Sequence, residues 1–179
     1  MTQVLKGNHH VLEGLDRLCT EPGAIRHTQD SFGNNYYWYS LNYPDQILDA
    51  AKILHEYDAR LAMITAYNQH RDTEKYQDAC YQFVIDGVVY SVTAHMGPDH
   101  PDVPSISRIF LNADWHEREM MELYGIKIKD HPNPKRLFLD EELDKGLLGE
   151  IVPLSIMMNG ASSSDLWEMI LADKEKGNE

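Results

Sequence analysis

The densest group of residues that could do chemistry lies between Asp114 and Tyr124, where the sequence reads DWHEREMMELY. Asp114, Arg118 and Glu122 are four residues apart, so on a helix they lie along one face. A cation between two carboxylates at this spacing stabilises an exposed helix by only about 0.2–0.5 kcal/mol per pair. From the residues alone, we therefore expect this face to be a solvated ladder of salt bridges.

Glu117 does not fit that interpretation, because it lies in the middle of the opposite, apolar face of the same helix. The apolar stripe also contains Ala113, Met120, Met121 and Tyr124. A buried carboxylate is costly unless it is paired. Either Glu117 therefore lies at the edge of the apolar face, or it is buried and a cation reaches it; we expect the buried and paired arrangement. The candidate cations are Arg108, Lys135, Arg136 and a group from a partner protein.

Acid–base catalysis is the alternative use of these side chains, with Glu117, Glu119 or His116 as the titrating groups. No nucleophile motif, Gly-rich phosphate loop or HExxH pair accompanies them. The nine histidines are therefore expected to be ordinary surface or core residues. The two cysteines, Cys19 and Cys80, are too few for an iron–sulfur cluster or a zinc site and are expected to be reduced thiols. No cofactor is expected in this chain.

The charge balance narrows the range of partners. The chain has 16 Lys and Arg residues against 29 Asp and Glu residues, which gives a formal charge of −13. Phosphates would repel such a chain, so nucleic acid and anionic membrane surfaces are poor candidates for direct binding. No apolar run approaches the roughly 20 residues of a membrane span. We expect a protein of a cytosolic compartment, in which thiols stay reduced.

The elements that must position the helix alternate between helical and strand-like patterns. The sequence predicts helices at Val11–Cys19, Asp45–Tyr57 and Asp114–Tyr124, and strands at Ala24–Thr28, Tyr36–Leu41, Arg60–Tyr67, Tyr81–Ile85, Val88–Val92 and Ile126–Lys129. Asp86-Gly87 favours a type I′ hairpin between two of these strands. Asn68–Tyr76, Met96–Pro104 and His131–Arg136 are expected to be loops, with Asn112 as a helix N-cap and Gly125 as the residue after the helix. This order favours an α+β fold in which helices pack on a mostly antiparallel sheet.

The segment from Pro104 to Phe138 resembles the signature of the complex I 30 kDa subunit, which belongs to the proton-pumping NADH:quinone oxidoreductase. Related subunits of energy-converting group 4 nickel–iron hydrogenases and formate hydrogenlyase carry the same signature. The matching residues are Pro104-Ser105-Ile106-Ser107, Phe110, Ala113–Glu119, Glu122–Ile126, His131-Pro132 and Lys135–Phe138.

The resemblance implies a subunit of a peripheral arm that packs against the large subunit and has no catalytic centre. Iron–sulfur clusters, and a nickel–iron centre or a quinone, would reside in the large and iron–sulfur partner subunits. Carried over residue by residue, the structural and interface residues would be Trp115, Glu117, Arg118, Glu119, Glu122, His131, Pro132, Lys135 and Arg136. The helix and the His-Pro loop would then form one polar core.

Three departures from the family pattern bear on which branch of the family the chain belongs to, complex I or the energy-converting hydrogenases. Pro134 stands where an aliphatic residue is usual, and Lys135 replaces the first Arg of a basic pair. Residues 140–179 lack the second His-Pro-Leu-Arg-like stretch that complex I versions usually carry. The sequence thus predicts an α+β domain like that of the 30 kDa subunit at residues 1–139, and a C-terminal extension with a short helix at residues 140–179. The divergent extension favours the hydrogenase branch over complex I.

Two alternative hypotheses assign the chain to other functional classes. One is a small stand-alone acid–base enzyme. The other is a general acidic adaptor whose charged helix is only a solvated ladder, and this hypothesis predicts that Glu117 is exposed.

Overall fold

The computed structural model of the chain describes residues 9–71, 74–139 and 146. The chain divides into two units, Met1–Gly149 and Glu150–Glu179, and every described residue belongs to the first. The short helix predicted in the C-terminal extension falls outside the described residues.

The main sheet has five strands in the order β1-β2-β5-β4-β3. The strands are β1 (Ile25–Gln29), β2 (Asn35–Ser40), β3 (Arg60–Arg71), β4 (Glu74–Ile85) and β5 (Val88–Met96). Three of the four neighbouring pairs are antiparallel, and only β2 and β5 run parallel. The predicted α+β class with a mostly antiparallel sheet is confirmed.

The turn between β4 and β5 is the local feature that the sequence predicted most directly. Asp86 and Gly87 both have positive φ, at 48° and 80°. Two successive residues in this region define a type I′ turn, whose twist matches that of the flanking strands. The pairing of Ile85 with Val88 closes the hairpin, and the ladder extends to the pairing of Gln77 with Met96.

The polar segment Asn68–Tyr76 is not the loop that its composition predicted. Strand β3 continues to Arg71 and β4 begins at Glu74, and Asn68 is paired with Gln77. The Gln77 amide donates a 2.9 Å hydrogen bond to Asn68 Oδ1. Polar side chains are compatible with a strand when they bond across it, and this cross-strand pairing outweighs the weak strand propensity of Asn and Gln.

Two helices, α1 (His9–Asp16) and α2 (Ile47–Glu56), contact each other, and α2 also contacts β5. A 3₁₀ turn at Pro44–Gln46 leads into α2. Each helix buries one apolar stripe in the core, formed by Val11, Leu15, Ile47, Ala50, Ala51 and Leu54. Cys19 and Cys80 are free and buried, and burial raises the pKa of the Cys19 thiol to about 11.

The third helix, α3 (Ala113–Glu119), contacts β3 and continues into a π-helical turn at Met120–Tyr124. Gly125, with φ of 65°, ends the turn, as its predicted position after the helix requires. Strand β6 (Asp102–Pro104) precedes this helix in the chain and β7 (Lys127–Lys129) follows it, and the two strands pair in parallel. Strand β6 falls in a segment predicted to be a loop. Among the described residues, no helix is long and apolar enough to cross a bilayer.

Candidate functional site

Glu117 is the centre of the polar cluster formed around α3. It is 0% exposed, and both of its carboxylate oxygens accept hydrogen bonds from the segment that follows β6. The Ile106 amide donates to Oε1 at 2.7 Å, and the Ser105 hydroxyl donates to Oε2 at 2.5 Å. The prediction that Glu117 is buried is confirmed, but its hydrogen-bond partners are an uncharged hydroxyl and a backbone amide rather than the cation that was expected. The adaptor hypothesis, which required Glu117 to be exposed, is wrong on this point.

The basic group beside Glu117 is His131, in the loop after β7. Its Nε2 lies 3.4 Å from Glu117 Oε2 and 3.8 Å from Asp114 Oδ1, and its side chain is 1% exposed. Arg108 and Lys135, two of the cations suggested from the sequence, are exposed at the surface instead. A neutral imidazole is easier to bury than a guanidinium or an ammonium group, which explains why a histidine occupies this position.

The environment of Glu117 disfavours its charged form. Burial raises the pKa of Glu117 from 4.5 to about 7, and the hydrogen bonds from Ser105 and Ile106 oppose this rise. The negative charge of Asp114 raises the pKa further. The carboxyl is therefore poised between its two protonation states near neutral pH. Because it is fully buried, it is not open to a bulk substrate, which argues against its use by a stand-alone enzyme.

The predicted salt-bridge ladder exists only in its first half. Arg118 Nη1 lies 3.6 Å from Asp114 Oδ2, one helical turn away. Glu122, the predicted far end of the ladder, is 2% exposed and accepts hydrogen bonds from backbone amides instead. Leu137, Phe138 and Leu139 donate to its two oxygens at 2.7–3.4 Å. The prediction of a solvated Glu122 is wrong, because a loop folds back over this face of the helix.

Arg118 binds the same loop through the backbone carbonyl groups of the loop. Its Nε donates to Lys135 O at 2.8 Å, and its Nη2 donates to Arg136 O at 2.6 Å. Arg118 and Glu122 thus bind successive parts of the segment 135–139, one through carbonyls and the other through amides. We call these two side chains and the segment the loop clamp. The clamp satisfies backbone groups of a segment that lies outside any strand or helix.

The remaining predicted residues lie at the surface. Trp115 is 66% exposed, and Leu111, four residues earlier, is 84% exposed. Glu119 Oε2 lies 4.0 Å from His116 Nδ1, too far for a hydrogen bond. Pro132 is exposed. The structure thus brings Glu117 and His131 together in a buried cluster and joins Arg118 and Glu122 to the loop, where Lys135 and Arg136 take part through their backbone carbonyls. It leaves Trp115, Glu119 and Pro132 outside both.

Sequence reasoning missed the donors to Glu117 and misassigned Asn112. The run Pro104–Ser107 belongs to the matched signature. Nothing in its residue types, however, indicated that Ser105 and Ile106 would donate hydrogen bonds to Glu117. Asn112 makes no capping bond to the helix. Its amide donates across the molecule to Leu61 O at 3.0 Å. Asn112 therefore connects the start of α3 to β3.

A match to a family profile assigns the chain to a known class of protein. The profile of the family described as "Respiratory-chain NADH dehydrogenase, 30 Kd subunit" matches residues 42–162, more than half of the chain. The chain belongs to this family.

Individual relatives share shorter stretches with the chain. The J subunit of the NAD(P)H-quinone oxidoreductase of Prochlorococcus marinus (strain AS9601) is 52% identical over 40 residues, which are 22% of this chain and 23% of that protein. The C subunit of the F(420)H(2) dehydrogenase of Methanosarcina mazei is 41% identical over 56 residues, which are 31% of this chain and 35% of that protein. These matches therefore span about a quarter to a third of each relative's length.

A solved structure shares the fold over a longer part of the chain. A chain of the membrane-bound sulfane sulfur reductase, an archaeal respiratory membrane complex, superposes with a TM-score of 0.55 at 16% identity. The superposition covers 74% of this chain and 76% of the other.

Proposed function

We propose that this chain is a non-catalytic docking subunit of a membrane-bound oxidoreductase related to complex I, and that it packs on the large subunit of that complex. Membership of the 30 kDa subunit family supports the proposal. The chain itself would carry no redox cofactor, and iron–sulfur clusters with a nickel–iron centre or a quinone would belong to the partner subunits. It would act at the cytoplasmic face of the membrane and contact the membrane only through its partners.

The docking role rests on the exposure of large apolar side chains at or just before the start of α3 and in the segment that the loop clamp holds. Leu111, Trp115 and Phe138 are 84%, 66% and 62% exposed. Trp115 lies on α3, Leu111 lies in the turn just before it, and Glu122 holds the amide of Phe138. Large exposed aromatic side chains on a fixed backbone are typical of protein–protein contact surfaces.

The role of the buried cluster in this proposal is positional. Glu117 and the loop clamp fix the helix and the segment 135–139, so Phe138 meets a partner in one defined position. A preorganised surface binds more tightly because less conformational entropy is lost on association.

Within the family, we propose the branch of energy-converting nickel–iron hydrogenases. The sequence feature that favours it is the lack of a His-Pro-Leu-Arg-like stretch in residues 140–179. The second candidate is the 30 kDa subunit of an NADH:quinone oxidoreductase. It is favoured by relatives such as the J subunit of NAD(P)H-quinone oxidoreductase and by the family match, which extends to residue 162.

Purification of the native complex through a tag on this chain tests both levels of the proposal. We expect membrane-derived complexes that contain a large subunit and iron–sulfur subunits. Nickel in a stoichiometric amount would support the hydrogenase branch. A quinone-reducing complex without nickel would support the second candidate. Recovery of the chain alone under mild solubilisation would contradict the docking role.

A matched pair of phenylalanine substitutions tests whether the exposed side chain of Phe138 belongs to the docking surface. Phe138→Ala removes an aromatic group next to α3, whereas Phe32→Ala removes one that is 90% exposed in the turn between β1 and β2. We expect Phe138→Ala to reduce recovery of the large subunit about tenfold or more, because truncated interface anchors typically cost about 2 kcal/mol. Phe32→Ala should retain the partner. Equal recovery with both variants would place the interface elsewhere.

A further inference from the structure

The hydrogen bonds around Glu117 are compatible with two protonation states of its carboxyl group. Oε1 accepts from the Ile106 amide in both states, so the acid proton, when present, lies on Oε2. Ser105 Oγ is 2.5 Å from Oε2 and 2.7 Å from Ser107 Oγ. In the ionised state Ser105 donates to the carboxylate. In the protonated state Glu117 donates to Ser105, and Ser105 donates to Ser107. Only the serine hydroxyls need to turn.

His131 supplies a proton donor that has no acceptor at bonding geometry. The Asn133 amide donates to His131 Nδ1 at 3.0 Å, which places the proton of the neutral ring on Nε2. Nε2 is buried without a hydrogen-bond partner among the described residues, and it faces Glu117 Oε2 at 3.4 Å. A buried donor without a partner is costly, whereas a carboxylate nearby would accept from it.

The other charged or titratable groups near Glu117 leave the carboxyl as the group that changes. Asp114 lies on the same helix, and its side chain is 26% exposed, so it connects the cluster to solvent. Tyr81, on β4, is fully buried, and burial followed by the charge of Glu117 raises the pKa of its hydroxyl. Arg118 points to the loop clamp rather than to Glu117.

We propose that Glu117 is a proton-binding site, and that its ionisation draws the Nε2–H of His131 into a hydrogen bond that ties the loop after β7 to α3. On ionisation, the Oε2–H bond breaks and the proton leaves for solvent past Asp114. The carboxylate then accepts from Ser105, Ile106 and His131. On protonation, the bond to His131 is lost. The direct hydrogen bond between α3 and this loop therefore forms as the pH rises, whereas the desolvation of the ionised carboxylate lowers the stability of the whole fold over the same range.

A titration of the full-length chain by NMR tests this proposal. The chain carries ¹³C-labelled glutamate and ¹⁵N-labelled histidine, and the signal of Glu117 is assigned by its loss in Glu117→Gln. We expect the Glu117 carboxyl to titrate with a midpoint near 7. The His131 Nε2 signal should shift with the same midpoint in the wild type and lose that step in Glu117→Gln. At pH 8, exchange of the Asn133 amide should be about two- to tenfold slower in the wild type than in Glu117→Gln.

Two further substitutions should shift the midpoint of the Glu117 titration in opposite directions. Asp114→Asn should lower it, because the Asp114 charge raises the pKa of Glu117. Ser105→Ala should raise it, because the Ser105 hydroxyl lowers that pKa. Glu119→Gln, on the same helix but 45% exposed, should leave it unchanged. Even if a variant does not fold, the wild-type titration alone tests whether Glu117 binds a proton near neutral pH. A Glu117 midpoint near 4.5, or a His131 Nε2 step that persists in Glu117→Gln, would overturn the proposal.

Discussion

The loop clamp makes one side chain, Glu122, responsible for a run of three backbone amides. Glu122→Gln keeps the size of the side chain and removes its charge. A carboxylate presents two acceptor oxygens to the amides of 137–139, whereas a glutamine presents one oxygen and one NH₂ group. The NH₂ group would face at least one amide donor in a buried site. The variant therefore weakens the hydrogen bonds that remain and leaves one backbone donor without an acceptor.

The size of the effect follows from those contacts. Hydrogen bonds to charged groups contribute about 1.5–3 kcal/mol, and a buried donor without a partner costs about 1–3 kcal/mol. We expect Glu122→Gln to destabilise the closed loop by about 2–4 kcal/mol. Such a change corresponds to a roughly 30- to 1,000-fold increase in local opening, because each 1.4 kcal/mol is tenfold. The shortest contact, from Leu139 to Oε1 at 2.7 Å, should lose the most protection.

Amide hydrogen exchange measures this opening directly. In Glu122→Gln, exchange should accelerate at Leu137–Leu139, while the amides of the β4–β5 hairpin change much less. Glu119→Gln is the matched control, because its side chain is 45% exposed on the same helix. Its exchange at 137–139 should stay within about threefold of the wild type, as expected for a surface substitution. If both variants give the same exchange at 137–139, Glu122 does not hold the loop and the clamp is not a source of stability.

Three further substitutions test other parts of the fold. For Glu117, a pKa raised from 4.5 to about 7 means that its contribution to stability is fully present below pH 4.5 and is lost as the pH rises through 7. The urea-unfolding free energy of the wild type should therefore fall by about 3 kcal/mol more than that of Glu117→Gln across this range. Gly87→Ala forces a side chain into φ of +80° and should cost about 1–2 kcal/mol, read as a lower Tm. Asn112→Asp should destabilise the chain by about 1 kcal/mol, as much as Asn112→Ala, because aspartate cannot donate to Leu61 O. If Asp is tolerated and Ala is not, Asn112 acts as a helix cap after all.

The sequence was a good guide wherever structure depends on neighbouring residues. Asp86 and Gly87 tolerate positive φ, and the runs beside them favour strands, so the hairpin could be predicted without any tertiary information. Gly125 after the third helix is a similar case. Composition was a poor guide at Asn68, because a polar side chain on a strand is decided by its partner across the sheet, in this case Gln77.

For the candidate site, helical periodicity determined that Glu117 lies on the apolar face of α3, and the cost of an unpaired buried carboxylate determined that it has partners. Only the tertiary structure decided which partners these are. Ser105, Ile106 and His131 are 11 to 14 positions away in the chain, and their approach depends on the pairing of β6 with β7. Glu122 shows the same limit more sharply. Its spacing from Arg118 predicted a solvated ladder, but the path of the loop over the helix buried it against the amides of 137–139. Periodicity assigns a side chain to a face of its helix, whereas what covers that face depends on where the rest of the chain folds.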